Sequence, residues 1–354
     1  MVEVRRLNHR DRVYAALDRQ EPDKVPKGEL GIAPDLVSRL LGSPPDDPRA
    51  GLRRCLELLH MDVVNTGLAG PPAREVGRDP EGRTIYEDQW GLRSVHEEAS
   101  VRWDPAITDA QDAWSYEVPT PDMYDSADTA WWTKETDYFV FGQTGGCHDS
   151  LLALFGWENA MIYSQTDLPV VKDLARRIGS LHAELGRMAA EAGANLVLVG
   201  DDIAFNSGTF FSPDALREIV FPVLKDVVRE IKKSGVPVMF HADGNLNAVM
   251  EDIVDCGFDA LQSLQPSAGM DIAKIKARCG DKLCLMGNMD LDWVMPRGTT
   301  DQVREAVRSV IRAAAPGGGL ILSTCNILTR DIPAENALAM YDEAERFGRY
   351  PIRG

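Results

Sequence analysis

The chain has 354 residues, 44% of them hydrophobic and 26% charged, and a formal net charge of −17. This composition is ordinary for a globular protein, and no apolar run approaches the roughly 18 residues that a membrane-spanning helix needs. The negative charge argues against nucleic acid and anionic membrane surfaces as partners, because the sequence has only isolated Lys and Arg pairs to offset long-range repulsion.

The N-terminus and the cysteines predict the compartment. Residues 1–12 are charged and lack the apolar core of a signal peptide, so we expect a cytoplasmic protein. The six cysteines are scattered and form no CxxC pair, which favours buried thiols over disulfides.

The first third of the chain gives the weakest structural signals. Its predicted elements are helices over 7–20, 34–41 and 52–59, and strands over 24–30 and 61–65. Pro26 weakens the first strand, because proline cannot donate to a sheet. From about 67 to 135 the sequence is rich in Pro, Gly and charge, and its centre is typical of a β-hairpin that turns at Trp90 and Gly91. We interpret this region as an insertion after the second strand.

From residue 138 onward, strand and helix patterns alternate regularly. Strands are predicted over 138–142, 195–200, 236–240, 259–264, 282–286 and 319–323. The clearest helix begins at Pro213 after the N-cap Ser212 and ends at Gly235, and the others lie over 246–254, 272–277, 300–314 and 333–347. Eight strand candidates alternating with helices predict an α/β fold, a (β/α)8 TIM barrel. A doubly wound open sheet is the alternative, and it is less favoured because no Gly-x-Gly-x-x-Gly follows a strand.

Polar side chains collect where the predicted strands end, at an edge that we call the mouth. His241 and Asp243 are two residues apart, so the alternation of a strand places them on one side. In parallel α/β folds this edge is where ligands bind. The candidate catalytic residues are His241, Asp243 and Asp202, and the candidate substrate-binding residues are Asp201, Asn206, Asn245, Gln262, Asn288 and Asp290.

Several of these residues also have an ordinary structural explanation. Asp201 or Asp202 could cap a backbone turn, and Asn245 could be the N-cap of the helix predicted from Leu246. Asn288 and Asp290 could serve the turn that follows them. The sequence leaves both interpretations open.

Four segments resemble the uroporphyrinogen decarboxylase superfamily. They are Gly-Asp-Asp-Ile-Ala-Phe-Asn-Ser-Gly-Thr-Phe-Phe-Ser-Pro at 200–213, His-Ala-Asp-Gly-Asn at 241–245, Gly-Asn-Met-Asp at 287–290, and the strand at 316–323 with the helix at 333–340. The opening stretch 12–26 is also similar. The resemblance implies one barrel domain over 1–354 with its active site at the mouth.

The sequence departs from both main branches of that superfamily. The decarboxylase branch carries arginines after its first strand to hold tetrapyrrole carboxylates, and the corresponding stretch 25–31 has none. The branch that methylates thiols holds zinc with His-x-Cys and a later Cys. By this resemblance Asp243 replaces the first Cys and Gly318 the second, so we favour no metal and keep zinc on His241, Asp243 and Cys325 as a minor alternative.

The resemblance therefore implies a methyltransferase that exchanges a methyl group between a corrinoid (cobalamin) protein and tetrahydrofolate or a similar acceptor. Asp202 and Asn206 would orient the acceptor, and His241 with Asp243 would handle its proton. The partners would be the corrinoid protein and a small molecule, and a homodimer is left open. Two alternatives remain: a decarboxylase, and a barrel that only binds a small molecule.

Overall fold

The computed structural model describes residues 7–96 and 101–352. The strands of these residues are β1 (Val63–Gly67), β2 (Arg74–Arg78), β3 (Thr84–Glu87), β4 (Arg93–His96), β5 (Val101–Asp104), β6 (Phe139–Gly145), β7 (Leu196–Gly200), β8 (Ala204–Phe205), β9 (Gly208–Thr209), β10 (Val238–Ala242), β11 (Ala260–Ser263), β12 (Cys284–Met289) and β13 (Leu320–Thr324).

The α-helices are α1 (His9–Leu17), α2 (Pro34–Leu41), α3 (Pro48–Leu58), α4 (Ala127–Glu135), α5 (His148–Phe155), α6 (Trp157–Thr166), α7 (Leu168–Glu191), α8 (Pro213–Lys232), α9 (Met250–Asp255), α10 (Ile272–Cys279), α11 (Val294–Arg297), α12 (Thr300–Ala314) and α13 (Ala334–Phe347). Within residues 7–96 and 101–352, no helix combines the length and the apolar character that crossing a membrane requires.

A curled parallel sheet of seven strands organises the chain, in the order β1-β6-β7-β10-β11-β12-β13. Every neighbouring pair in this order is parallel. Helices α7 and α12 pack on the outer faces of the strands that they connect. The predicted α/β class with a parallel sheet is confirmed.

The two ends of the sheet are linked by residues predicted as a first strand. The backbone N–H of Leu322 in β13 donates to the Pro26 carbonyl at 2.9 Å, and Asp62 N–H beside β1 donates to the Lys27 carbonyl at 2.7 Å. The prediction of a regular strand over 24–30 was wrong, since this segment makes only isolated bridges. Pro26 has no N–H to donate, which accounts for the short pairing.

The inside of the curled sheet is filled by apolar side chains, and its lower end is closed by α1. Alternate residues of each strand point inward because successive side chains of a strand face opposite sides. The inner cluster contains Val13, Ala16 and Leu17 of α1 with Val63, Phe139, Phe141, Leu196, Leu198, Met239, Ala260, Cys284, Met286 and Ile321. The opposite end, the mouth, is where the strands give way to polar residues.

Between β1 and β6, strands β2 to β5 form a four-stranded antiparallel sheet. The β3–β4 turn is held by Asp88, whose Oδ1 accepts the backbone N–H groups of Trp90 and Leu92. Trp90 stacks on His182 of α7, with 5.9 Å between ring centroids. This contact places the antiparallel sheet beside the end of β6.

Candidate functional site

His241 lies near the end of β10, directly beside Gln262 of β11. Gln262 is fully buried, and its Nε2 donates to the carbonyls of Thr324 and Cys325 at 3.2 and 3.1 Å. These two bonds fix the amide, so its Oε1 faces the imidazole and accepts a hydrogen bond from Nδ1 of His241. In neutral His241 the proton therefore lies on Nδ1, and Nε2 carries a free lone pair.

The three predicted catalytic residues lie close together, with Asp202 and Asp243 near the free nitrogen of His241. Asp202 Oδ1 lies 3.7 Å from His241 Nε2 and accepts the backbone N–H of Asp243 at 2.7 Å. One ligand atom each from Asp202, His241 and Asp243 lies within 4.8 Å of the other two. The geometry brings these three residues together, and their catalytic role stays a prediction.

The Asp243 carboxylate is held at both oxygens. Its Oδ1 accepts a hydrogen bond from Ser263 Oγ at 2.6 Å, and its Oδ2 accepts one from Asn326 Nδ2 at 2.8 Å. A carboxylate oriented by two donors is a fixed negative charge at the mouth, since rotation would break both bonds.

Asp201 stabilises the backbone at the start of α5, whereas its neighbour Asp202 lies beside His241. It is fully buried, and its carboxylate accepts the backbone N–H groups of Cys147, His148 and Asp149 at 2.9, 3.1 and 2.9 Å. Asp201 therefore caps the beginning of α5. The side chain is buried beneath the mouth, and the predicted contact of Asp201 with an acceptor stays a prediction.

Asp149, which the sequence reasoning missed, is the fourth carboxylate of the mouth. It reaches solvent, and its Oδ2 accepts the backbone N–H of Asp202 at 3.0 Å. Desolvation in the concave mouth, followed by repulsion from Asp201 and Asp202, raises the pKa of Asp149 to about 8. Its position directly after the Gly145-Gly-Cys-His turn was the available signal.

The pKa values of two other carboxyl groups at the mouth are also raised. Burial raises the pKa of Asp201 to about 6 despite the three N–H groups that it accepts. Burial also raises the pKa of Asp202, although the nearby His241 opposes the shift. Among the described residues, no Lys or Arg forms an ion pair with Asp149, Asp201, Asp202 or Asp243. The mouth therefore carries negative charge that no described Lys or Arg side chain neutralises.

The remaining predicted acceptor-binding residues lie near the rim or within turns. Asn206 is exposed and contacts Gln265. Asn288 donates to the carbonyls of Leu264 and Met270, which makes it a structural residue. Asp290 accepts the N–H groups that open α11, as the turn interpretation anticipated.

Asn245 and Gln262 both contact other residues of the protein, and their predicted contact with an acceptor stays a prediction. Asn245 Oδ1 accepts the N–H of Asn247 in a turn, and α9 begins only at Met250, so the N-cap prediction for Asn245 was wrong. Gln262 is fully buried, and its side-chain oxygen contacts His241.

The zinc alternative on His241, Asp243 and Cys325 is not assembled. Cys325 is buried, its Sγ donates to the Met289 carbonyl, and burial followed by repulsion from Asp243 raises the pKa of its thiol. The suggested equivalence of Gly318 with a zinc ligand was also wrong, because Gly318 precedes β13 and lies at the end opposite the mouth. By donor chemistry, Asp202, His241 and Asp243 fit a metal ion better.

Comparison with solved structures supports the fold. A methyltransferase from Methanosarcina mazei superposes with a TM-score of 0.74 at 19% identity, covering 97% of this chain and 99% of that one. A B12-independent methionine synthase from Shewanella sp. W3-18-1 gives 0.53 at 12% identity, covering 91% and 98%.

Curated relatives include two activities. A uroporphyrinogen decarboxylase of Chlorobaculum tepidum is 28% identical over 45% of this chain and 42% of its own length. The methylcobamide:CoM methyltransferase MtaA of Methanosarcina barkeri is 30% identical over 42% of this chain and 41% of its own length. The chain thus spans about two fifths of these relatives. The model of the family "Uroporphyrinogen decarboxylase (URO-D)" matches residues 96–347, well over half of the chain, and the chain belongs to that family.

Proposed function

We propose that this chain is a methyltransferase that exchanges a methyl group between a corrinoid protein and tetrahydrofolate or a similar acceptor. The observation that carries the proposal is an electronegative mouth built around one imidazole whose Nε2 is free. Such a site suits an uncharged or cationic reacting centre that gains or loses a proton.

The charge of the mouth argues against a polycarboxylate substrate. A porphyrinogen with several carboxylates needs cationic side chains, and the carboxylates of Asp202 and Asp243 would repel it. Lys27 is the cation of the stretch 25–31, but it is fully buried and its Nζ pairs with Glu345 of α13 at 2.6 Å. It has no free charge to offer at the mouth.

His241 would manage the proton of the acceptor. Methyl transfer to an N–H or S–H group forms a bond to carbon and releases one proton, and Nε2 of His241 accepts it as general base. Asp202, 3.7 Å away, stabilises the imidazolium that results. In the reverse direction the same imidazolium returns the proton. The corrinoid of the partner protein would supply the methyl group and keep the electron pair of the broken bond.

Neighbouring residues would hold the acceptor. Asp243, fixed by Ser263 and Asn326, offers oriented acceptor oxygens to N–H groups of the kind found on a pterin ring. Exposed Asn206 at the rim supplies an amide. If a metal ion occupied Asp202, His241 and Asp243, it would supply Lewis-acid activation of the acceptor.

The second candidate activity is decarboxylation. The observation that favours it is the similarity to uroporphyrinogen decarboxylases, one of which is 28% identical over 45% of this chain. A substrate with a single carboxylate would meet less repulsion in this mouth than a porphyrinogen.

Spectral titration with methylcobalamin and tetrahydrofolate tests the proposal. We expect acceptor-dependent conversion of methylcobalamin to cob(I)alamin, reduced about 10²- to 10⁴-fold in His241→Gln because the general base is lost. Asp214→Asn, which removes an exposed carboxylate on α8, is the matched control and should keep full activity. A folded protein without conversion, which instead releases carbon dioxide from a porphyrinogen panel, would establish the decarboxylase.

A further inference from the structure

A second group of metal-binding residue types adjoins the proposed catalytic group. One ligand atom each from His148, Asp149 and Asp201 lies within 4.8 Å of the other two. The group is joined to the first by the hydrogen bond from Asp202 N–H to Asp149 Oδ2. None of the steps proposed above uses these three residues.

His148 is the unusual member of this group. Its side chain is fully buried against Phe210 and Phe211, and neither ring nitrogen has a hydrogen-bond partner among the described residues. Leaving a buried polar atom unsatisfied costs about 1–3 kcal/mol, so an imidazole with two such atoms calls for an explanation. In its neutral form the ring has one nitrogen lone pair that a metal ion can accept.

The two carboxylates are already oriented. Three backbone N–H groups hold Asp201, which leaves one of its lone-pair positions open. Asp149 is held at Oδ2 by Asp202, and no described residue donates to its Oδ1. Hydrogen bonds that fix a carboxylate from behind are typical of the groups that surround metal ligands.

We propose that His148, Asp149 and Asp201 bind a divalent metal ion. One imidazole and two carboxylates form a mixed nitrogen and oxygen set, which favours a borderline ion such as Zn²⁺ over Mg²⁺ or Ca²⁺. Three protein ligands leave positions open for water or for a donor atom of a bound molecule. The ion would also neutralise part of the charge of a mouth in which no described Lys or Arg pairs with the carboxylates.

The experiment measures metal binding without catalysis, so its outcome is independent of the proposed methyl transfer. Chelator-treated full chain is titrated with Zn²⁺ alone by calorimetry, in a His241→Gln background that removes the first group. We expect roughly one equivalent to bind, with the imidazole ¹⁵N resonance of His148 shifting on saturation.

The decisive variant is Asp149→Asn in the same background. Its amide oxygen can still accept the N–H of Asp202, so the fold is preserved while a charged ligand is lost. We expect Zn²⁺ to bind at least about tenfold more weakly. Unchanged affinity in this variant would overturn the proposal, as would absence of binding in the His241→Gln protein. Asp214→Asn in that background controls for loss of charge alone and should bind Zn²⁺ normally.

Discussion

At the residue scale, one buried amide decides what His241 can do. Gln262 donates to two backbone carbonyls and accepts from Nδ1, so the orientation of the amide and the tautomer of the imidazole are set together. The free nitrogen then faces Asp202 and not the protein interior. Gln262 is a positioning residue, and its effect is measurable separately from activity.

Replacing Gln262 with Ala should remove the hydrogen bond that keeps the His241 proton on Nδ1. Without an acceptor at Nδ1, we expect ¹⁵N NMR to find both neutral tautomers of His241, and methyl transfer to fall about 10- to 100-fold. Gln302→Ala, which removes the capping glutamine of α12 and no hydrogen-bond partner of His241 or Gln262, should change neither measurement. A His241 that stays protonated on Nδ1 in Gln262→Ala would contradict the assigned role.

The limits of sequence reasoning are clearest in Asp201 and Asp202. Both follow a buried strand, and both were candidate ligands of an acceptor. Adjacent side chains at a strand end point in different directions, so one turned inward to cap α5 and the other outward to His241. Which of the two faces the mouth depends on where α5 begins, and one sequence does not contain that information.

At the element scale, the position of α5 depends on a cap from outside the helix. The first N–H groups of a helix have no partner within it, and in α5 those of His148 and Asp149, with that of the preceding Cys147, donate to Asp201, which follows β7. The carboxylate thus connects two neighbouring strand–helix units.

Asp201→Asn should therefore destabilise the protein, whereas Asp202→Asn should not. The amide introduced at position 201 turns an N–H donor toward backbone N–H groups, so we expect a loss of about 1–3 kcal/mol in the free energy of unfolding. In Asp202→Asn the new amide oxygen can still accept the Asp243 N–H, and repulsion decreases. Urea denaturation of both variants checks the contrast, and equal effects would argue against the cap.

A second contact between elements joins the closing segment to α13. Lys27 is fully buried, and its ammonium pairs with Glu345, which also pairs with Lys24 at 2.7 Å. Burial alone would raise the pKa of Glu345, but Lys27 and Lys24 outweigh it and hold the pKa at about 2. The segment that closes the sheet buries Lys27, and the ammonium therefore needs the Glu345 carboxylate as its partner.

Glu345→Gln should leave the buried Lys27 ammonium without its carboxylate, with a loss of about 3 kcal/mol in unfolding free energy. Lys27→Met replaces the buried ammonium with an apolar group of similar length, so it should be nearly neutral. The double variant should then be more stable than Glu345→Gln alone. Thermal or urea unfolding measures the coupling, and additive effects would show that the two side chains do not interact energetically.

Helices and strands were predictable where the hydrophobic pattern continues without interruption over many residues. The helix from Ser212 and Pro213 matches α8, and the strand at 195–200 matches β7, since both carry unbroken apolar patterns. Elements with short or interrupted patterns were not. The segment 24–30 pairs only briefly because of Pro26, and the helix predicted from Leu246 starts at Met250 after a turn.

At the scale of the whole molecule, the parallel α/β class can be predicted from strand and helix patterns that alternate along the chain. The site depends on which charged side chains come together in space, and the sequence pattern does not show this. The convergence of Asp149 with Asp202 requires the turn after β6 to meet the turn after β7, a contact between residues about 50 positions apart. The net charge of −17 gave no indication that four carboxylates would share one mouth.

These carboxyl groups predict how stability depends on pH. Burial first, and repulsion at the mouth, raise the pKa of Asp149 to about 8, and burial raises those of Glu29 and Asp201 to about 7 and 6. A carboxyl with a raised folded pKa contributes stability that is complete below its unfolded pKa and is lost as pH rises through the folded one. Glu345, with its lowered pKa, contributes stability above its unfolded value that is lost as pH falls toward about 2.

The two trends together place maximal stability at about pH 4–5, close to the unfolded pKa of a carboxyl group, with a decline toward pH 8. Urea midpoints measured across this range should fall on the alkaline side in the wild type and fall less in Asp149→Asn, which removes the group with the highest raised pKa. Asp214→Asn, an exposed carboxylate, should leave the slope unchanged. Stability that rises steadily to pH 8 would mean that the carboxylates do not repel one another. If Zn²⁺ binds as proposed, it should flatten the decline in the wild type but not in Asp149→Asn, because a cation removes the repulsion that the decline reports.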